Sequence, residues 1–145
     1  MTEQGFGPAE ARALLDSDFA PWVAGMGLEP LALGPARAEF RLPDSRALAL
    51  RGGPGAGVTC GQALAAVADT ACVLALSGAN GRFRICTTTD LSISFLRPLR
   101  GAAAVSVEIE SNGRRMAVCR VRIAAEGQDK AAALATASFL YPGEA

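Results

Sequence analysis

Residues Gly57–Leu76 read GVTCGQALAAVADTACVLAL, a run of small and apolar residues that holds one carboxylate, Asp69. No other charged residue lies between Arg51 and Arg82. The pattern predicts a helix over roughly residues 61–77, about 25 Å long. A helix that is apolar around most of its circumference has to be covered on several sides. Ala65, Ala68, Cys72 and Ala75 would let a sheet come very close to it. The chain is therefore expected to wrap a sheet around a central helix. Asp69 is the anomaly in this run. Burying an unpaired carboxylate costs several kcal/mol unless it is neutralised, paired or given hydrogen bonds. It is either a satisfied structural group or a working one.

The flanking segments fit this picture. PAEARALLDSDFAPWVAGMGLEP reads as one or two short helices, a lead-in over about residues 8–28 that presents Leu14, Leu15, Phe19, Trp22 and Val23 on an apolar face. LALGPARAEFRLP reads as a broken strand, with Ala36, Ala38 and Phe40 alternating against Arg37, Glu39 and Arg41. The glycine-rich loop RGGPGAGV leads into the helix, and SGANG closes it with the glycine chemistry of helix C-termini. Four strands complete the chain. In the first, Thr87, Thr89, Leu91, Ile93 and Phe95 are expected on one face, with Thr88, Asp90, Ser92 and Ser94 on the other. The second alternates Ala103, Val105, Val107 and Ile109 against Ser106, Glu108 and Glu110. Asn112-Gly113 is a strong hairpin signal, and the EGQD turn separates the last two strands. A strand, a long helix and four antiparallel strands make an α+β pattern with the helices on one face. With 145 residues and no internal repeat or linker, residues 1–145 read as one domain.

Composition removes several classes of function. The 14 basic and 14 acidic residues balance, which argues against nucleic acid or a membrane surface as partner. Histidine is absent, so Ser-His-Asp and Cys-His catalysis and histidine-ligated zinc are excluded. The four cysteines, Cys60, Cys72, Cys86 and Cys119, form no CxxC pair and no metal-ligand spacing, so no metal is expected. They read as reduced thiols, and the N-terminus lacks the basic start and apolar core of a signal peptide. No stretch of 18 uninterrupted apolar residues occurs, so no membrane span and a cytoplasmic location are expected. Chemistry falls to carboxylates, backbone amides, hydroxyls, thiols or arginines.

Three ordered motifs then carry a resemblance. PGAGVTCGQALAAVADTA is similar to the Asn-x-x-Gly-x-x-His-Gly-Gly run, followed after six residues by Asp-Thr-Ala, of the hotdog-fold acyl-CoA thioesterases in the branch of the phenylacetate-pathway enzyme. Gly57, Gly61 and Asp69-Thr70-Ala71 match in register, whereas Pro54, Cys60 and Gln62 stand where that family has Asn, His and the second Gly. TTTDLSISFLRPLRG resembles the family's second signature, and NGRRMAV its Gly-Arg-Arg hairpin. The resemblance spans roughly residues 25–142. It implies a hotdog fold, an antiparallel sheet wrapped around a long central helix, and hydrolysis of acyl-CoA to a free acid and CoA without metal or redox cofactor. It also implies a homodimer or homotetramer in which one subunit's carboxylate meets the other's oxyanion hole.

Under that resemblance Asp69 is the general base or the nucleophile, and the Gly61 N–H is the oxyanion donor. The first N–H groups of a helix lack intrahelical partners and sit at the positive end of its dipole, which suits the second role. Gln62 and Thr87 are candidates for positioning water or the acyl group. Arg97, Arg100, Arg114 and Arg115 are candidates for clamping the CoA phosphates, against a plain reading as solvated turn surface. Cys60 at the helix start reads as a small packed residue, with no histidine to deprotonate it, and Asp90 as structural. The competing function is a non-catalytic hotdog module that binds acyl-CoA. It would keep the arginines and tolerate loss of Asp69. A hotdog dehydratase would need a catalytic histidine.

Overall fold

The computed structural model describes residues 5–143. Two short helices, α1 (Pro8–Asp18) and α2 (Pro21–Ala24), open the chain, each with proline in its first turn where the missing N–H costs nothing. A hairpin of β1 (Glu29–Leu33) and β2 (Arg37–Leu42) follows, so the broken strand is two strands around Gly34–Ala36. The long helix α3 runs Gly61–Asn80, three residues beyond the expected end, and stops at Gly81 with φ of +72°. The remaining strands are β3 (Thr87–Phe95), β4 (Ala103–Asn112), β5 (Met116–Ala125) and β6 (Ala133–Leu140).

All six strands form one antiparallel sheet in the order β1-β2-β4-β5-β6-β3. Because α3 leaves next to β2 and returns to β3 at the far edge, it crosses the whole sheet and packs against every strand. This is the hotdog arrangement. Ala38, Phe40 and Leu42 of β2, Val105 and Val107 of β4, Cys119 and Ile123 of β5 and Phe139 of β6 are buried against Leu64, Val67, Ala71, Leu74 and Ala75 of the helix. α3 is long and apolar enough to cross a membrane, but 61% of its most apolar stretch is buried within the fold. Here the apolar helix is the core.

Close approach has a residue-level cause. A Cβ on Gly78 would stand 2.8 Å from the Cβ and Cδ2 of Leu33, so only glycine lets β1 lie on the last turn of α3. The SGANG segment, expected to end the helix, is thus mostly helical. Its first glycine serves packing, and its second serves the left-handed cap.

One expected face is corrected. Between Thr88 and Asp90 the β3–β6 register slips by one residue, a β-bulge at Thr89. Side chains alternate with a period of two, so an extra residue exchanges the faces on either side of it. Leu91 and Ile93 still face the core, but Thr88 now joins their side, and Thr87 lies opposite the exposed Leu140 on the outer face.

Candidate active site

The loop between β2 and α3 sets the start of the helix. A 3-10 turn at Arg46–Leu48 precedes two tight turns in which Gly53 and Gly57 take φ of +75° and +86°. The Leu50 N–H donates to the Val58 carbonyl and the Cys60 N–H to the Leu48 carbonyl, which ties the loop down. Cys60 is the N-cap residue in extended conformation, and no side chain among the described residues caps α3. The N–H groups of its first turn, beginning with Gly61, therefore present the positive end of a 20-residue helix. The Phe95 ring lies over this point: a Cβ on Gly61 would come within 3.2 Å of it. Gln62 is exposed on the same turn.

Asp69 sits half-buried midway along α3, facing the edge strand β3. The Thr88 hydroxyl donates to its Oδ1 at 2.7 Å. This answers the anomaly of the lone carboxylate: it is hydrogen-bonded from the strand and partly open to solvent. Thr87, the candidate for positioning water or the acyl group, stands on the outer face, where the bulge sends it. In the run Thr87-Thr88-Thr89 composition cannot distinguish the residues, so the sequence carried no signal for which hydroxyl reaches Asp69. Two thiols lie within electrostatic reach of Asp69. Burial, assisted by the carboxylate's charge, pushes the Cys86 thiol up to about 11. Cys72 is raised by its hydrogen bond with Cys119, by burial and by nearby negative charge including Asp69. Both thiols are held neutral near pH 7.

Gly61 and Asp69 are eight residues apart on one helix, about 12 Å along its axis. They do not meet within one chain. Nor do the four arginines expected to act together. Arg100 lies at the start of α3, where it donates to the Ala56 carbonyl at 2.5 Å, and Arg97 is in the same segment. Arg114 and Arg115 lie on the β4–β5 turn near the other end of the helix, beside Arg82 and Arg84, which the sequence reading did not single out. A separate groove of about 590 Å³ on the outer sheet face, lined by Arg37, Glu108, Arg120 and Arg122 among others, holds none of the expected site residues.

Comparison with known proteins fits this geometry. The profile of the thioesterase superfamily matches residues 56–132, from the loop before α3 to the entry of β6. Among solved structures, a conserved protein from Pseudomonas aeruginosa is similar at 29% identity and a TM-score of 0.74, covering 86% of this chain and 95% of that one. A thioesterase from Haemophilus influenzae shares the fold at 22% identity and a TM-score of 0.78, covering 95% and 92%. The PaaI protein of the E. coli phenylacetic acid degradation operon does so at 20% identity and a TM-score of 0.75, covering 92% and 91%. No curated protein sequence matches this chain.

Proposed function

The chain belongs to the thioesterase superfamily, and from that premise we propose that it hydrolyses acyl-CoA thioesters to the free carboxylic acid and CoA, with Asp69 as the working carboxylate. The observation that carries this reading is the setting of Asp69: a lone carboxylate on an apolar helix, kept half-exposed and hydrogen-bonded by Thr88, with no ion pair to a cation among the described residues. Such a group can take a proton from water as the water attacks the thioester carbonyl, then return it to the departing thiolate. The same oxygen can instead attack directly and form an anhydride that water opens. In either route the carbonyl oxygen gains negative charge, and the Gly61 N–H is the proposed donor to it, an interaction worth about 2.7–4 kcal/mol in comparable sites. Gln62, exposed beside that donor, is the proposed group for holding the acyl portion or the water.

The 12 Å between Gly61 and Asp69 supports a homodimer. β3 is an edge strand of nine residues, exposed along most of its length, and an edge of this kind invites pairing with a copy of itself. Two-fold antiparallel pairing of β3 with its copy would bring the start of one α3 toward the middle of the other. Each site would then take its carboxylate from one subunit and its oxyanion donor from the next. A dimer of such dimers is the proposed larger assembly, and the cytoplasm the proposed location.

The test is steady-state hydrolysis over a panel of acyl-CoA thioesters with wild type and Asp69→Asn. The expected outcome is turnover of at least one thioester and a loss of about a hundredfold or more in the folded variant, the low end of acid–base contributions. Equal, negligible rates combined with tight acyl-CoA binding by both proteins would leave only the non-catalytic binding module.

A further inference from the structure

The loop before α3 is gripped at two points by the segment that follows β3. The carbonyl of the buried Leu99 accepts from the Thr59 N–H at 2.9 Å, and the side chain of Arg100 donates to the Ala56 carbonyl at 2.5 Å. Between these two contacts lies Gly57, with φ of +86°. A Cβ there would stand 3.0 Å from Arg100 Nη1, so the guanidinium lies across the bare Cα of this glycine. Gly57 therefore serves twice, once for its left-handed backbone and once for the seat it leaves open.

Among the described residues no carboxylate pairs with Arg100, and the Ala56 carbonyl receives no backbone N–H. The guanidinium is thus what fixes this side of the turn. The amides tell the rest. From Ala56 to Cys60 every backbone N–H donates to a carbonyl of the loop itself or of Leu99. Gly61 is the first whose N–H has no backbone acceptor among the described residues. A run of tied amides leads directly to a free one, so the aim of the free one depends on how firmly the turn before it is held.

An oxyanion donor acts only at hydrogen-bond distance from the oxygen that gains charge. A displacement of about 1 Å at such a group costs on the order of a hundredfold in rate. On the premise that the Gly61 N–H receives the oxyanion, we infer that Arg100 is a positioning residue. Its guanidinium, laid across Gly57 and bonded to the Ala56 carbonyl, holds the turn that aims this N–H. This duty differs from the phosphate clamp expected of Arg100. A clamp uses the charge, whereas the seat on Gly57 uses the flat shape of the group.

Two substitutions in the full chain separate these duties. Arg100→Gln removes both shape and charge, and Arg100→Lys keeps the charge without the planar fork. Arg100 is exposed, and a thermal melt checks that both variants fold. Hydrogen exchange read by mass spectrometry should quicken about tenfold in the peptide covering residues 50–61 of both variants and stay as in wild type elsewhere. In both, kcat on the best acyl-CoA of the panel should fall about ten- to a hundredfold, with KM and the calorimetric affinity for CoA within about twofold of wild type. In the Gly61→Pro background the N–H is already gone, so adding Arg100→Gln should cost kcat nothing further. Unchanged exchange in that peptide overturns the assignment, and so does a full second loss of kcat in the Gly61→Pro background. Weaker CoA binding with kcat intact is the mark of a phosphate clamp and overturns it too, as does full activity in Arg100→Lys. Exchange needs no turnover. Faster exchange in the variants of a protein that hydrolyses nothing upholds the hold on the turn and defeats the proposed reaction.

Discussion

Asp69 takes its character from a single hydroxyl. A hydrogen bond donated to a carboxylate fixes its orientation, so Thr88→Val should leave Asp69 less well aimed. If Asp69 is the working carboxylate, kcat falls in Thr88→Val with little change in KM, and Thr88→Ser restores it. A merely structural Thr88 would lower stability without lowering kcat in the folded variant. Thr87→Val, on the outer face, is expected to leave kcat unchanged. Cys86 supports a second prediction at this scale. Its pKa is raised in the fold from 9.0 to about 11, first by burial and then by the charge of Asp69. Between those values the folded protein keeps a proton that the unfolded chain has released, so stability present below about pH 9 is lost as pH rises toward 11. Melting temperatures across this range should fall, and Cys86→Ala should reduce the fall without abolishing it, since burial also raises Tyr141, and the hydrogen bond with Cys119 together with burial raises Cys72.

The helix α3 does two jobs, and a substitution at each end separates them. At its end, Gly78→Ala would gain about 1 kcal/mol of helix propensity. The new Cβ would meet the Leu33 Cβ, which is fixed to the backbone of β1, at 2.8 Å. Overpacking of this kind costs about 1–3 kcal/mol, so the balance is a loss. A drop of roughly 2–6 °C in Tm is expected, and a rise would show that β1 yields. At its start, Gly61→Pro removes one N–H and keeps the helix, because proline suits the first helical position and the extended Cys60 suits the residue before it. The half-exposed Phe95 ring can give the few tenths of an ångström that the new side chain needs. If that N–H stabilises the oxyanion, kcat should fall about 10²–10³-fold with circular dichroism unchanged.

For the whole molecule the question is whether one site is made of two chains. Asp69→Asn and Gly61→Pro should each be inactive alone. Co-expressed, half the dimers are mixed, and one of the two sites in each mixed dimer carries neither change, so about a quarter of wild-type activity should return. Recovery no greater than the sum of the single variants would place the whole site within one chain. Sedimentation of the same preparations reads the assembly directly.

Much of this was legible in the sequence because it rests on local periodicity. The apolar run required a covered central helix, alternation in RAEFRL and AAVSVEI marked strand faces, and Asn112-Gly113 marked the β4–β5 turn. Asp69 was conspicuous for being the one charge in that run. What periodicity cannot carry is an irregularity or a distance. A one-residue bulge among three threonines decided which hydroxyl reaches Asp69. The crossing of α3 to the far edge of the sheet left β3 unpaired on one side. The rigid length of that helix put the expected arginines at opposite ends and gathered Arg82 and Arg84 with Arg114 and Arg115. Side-chain pattern is fixed within a few residues of chain, whereas register, edge and separation arise only when distant segments pack. The elements were therefore written in the sequence, and the composition of each site was decided by the fold.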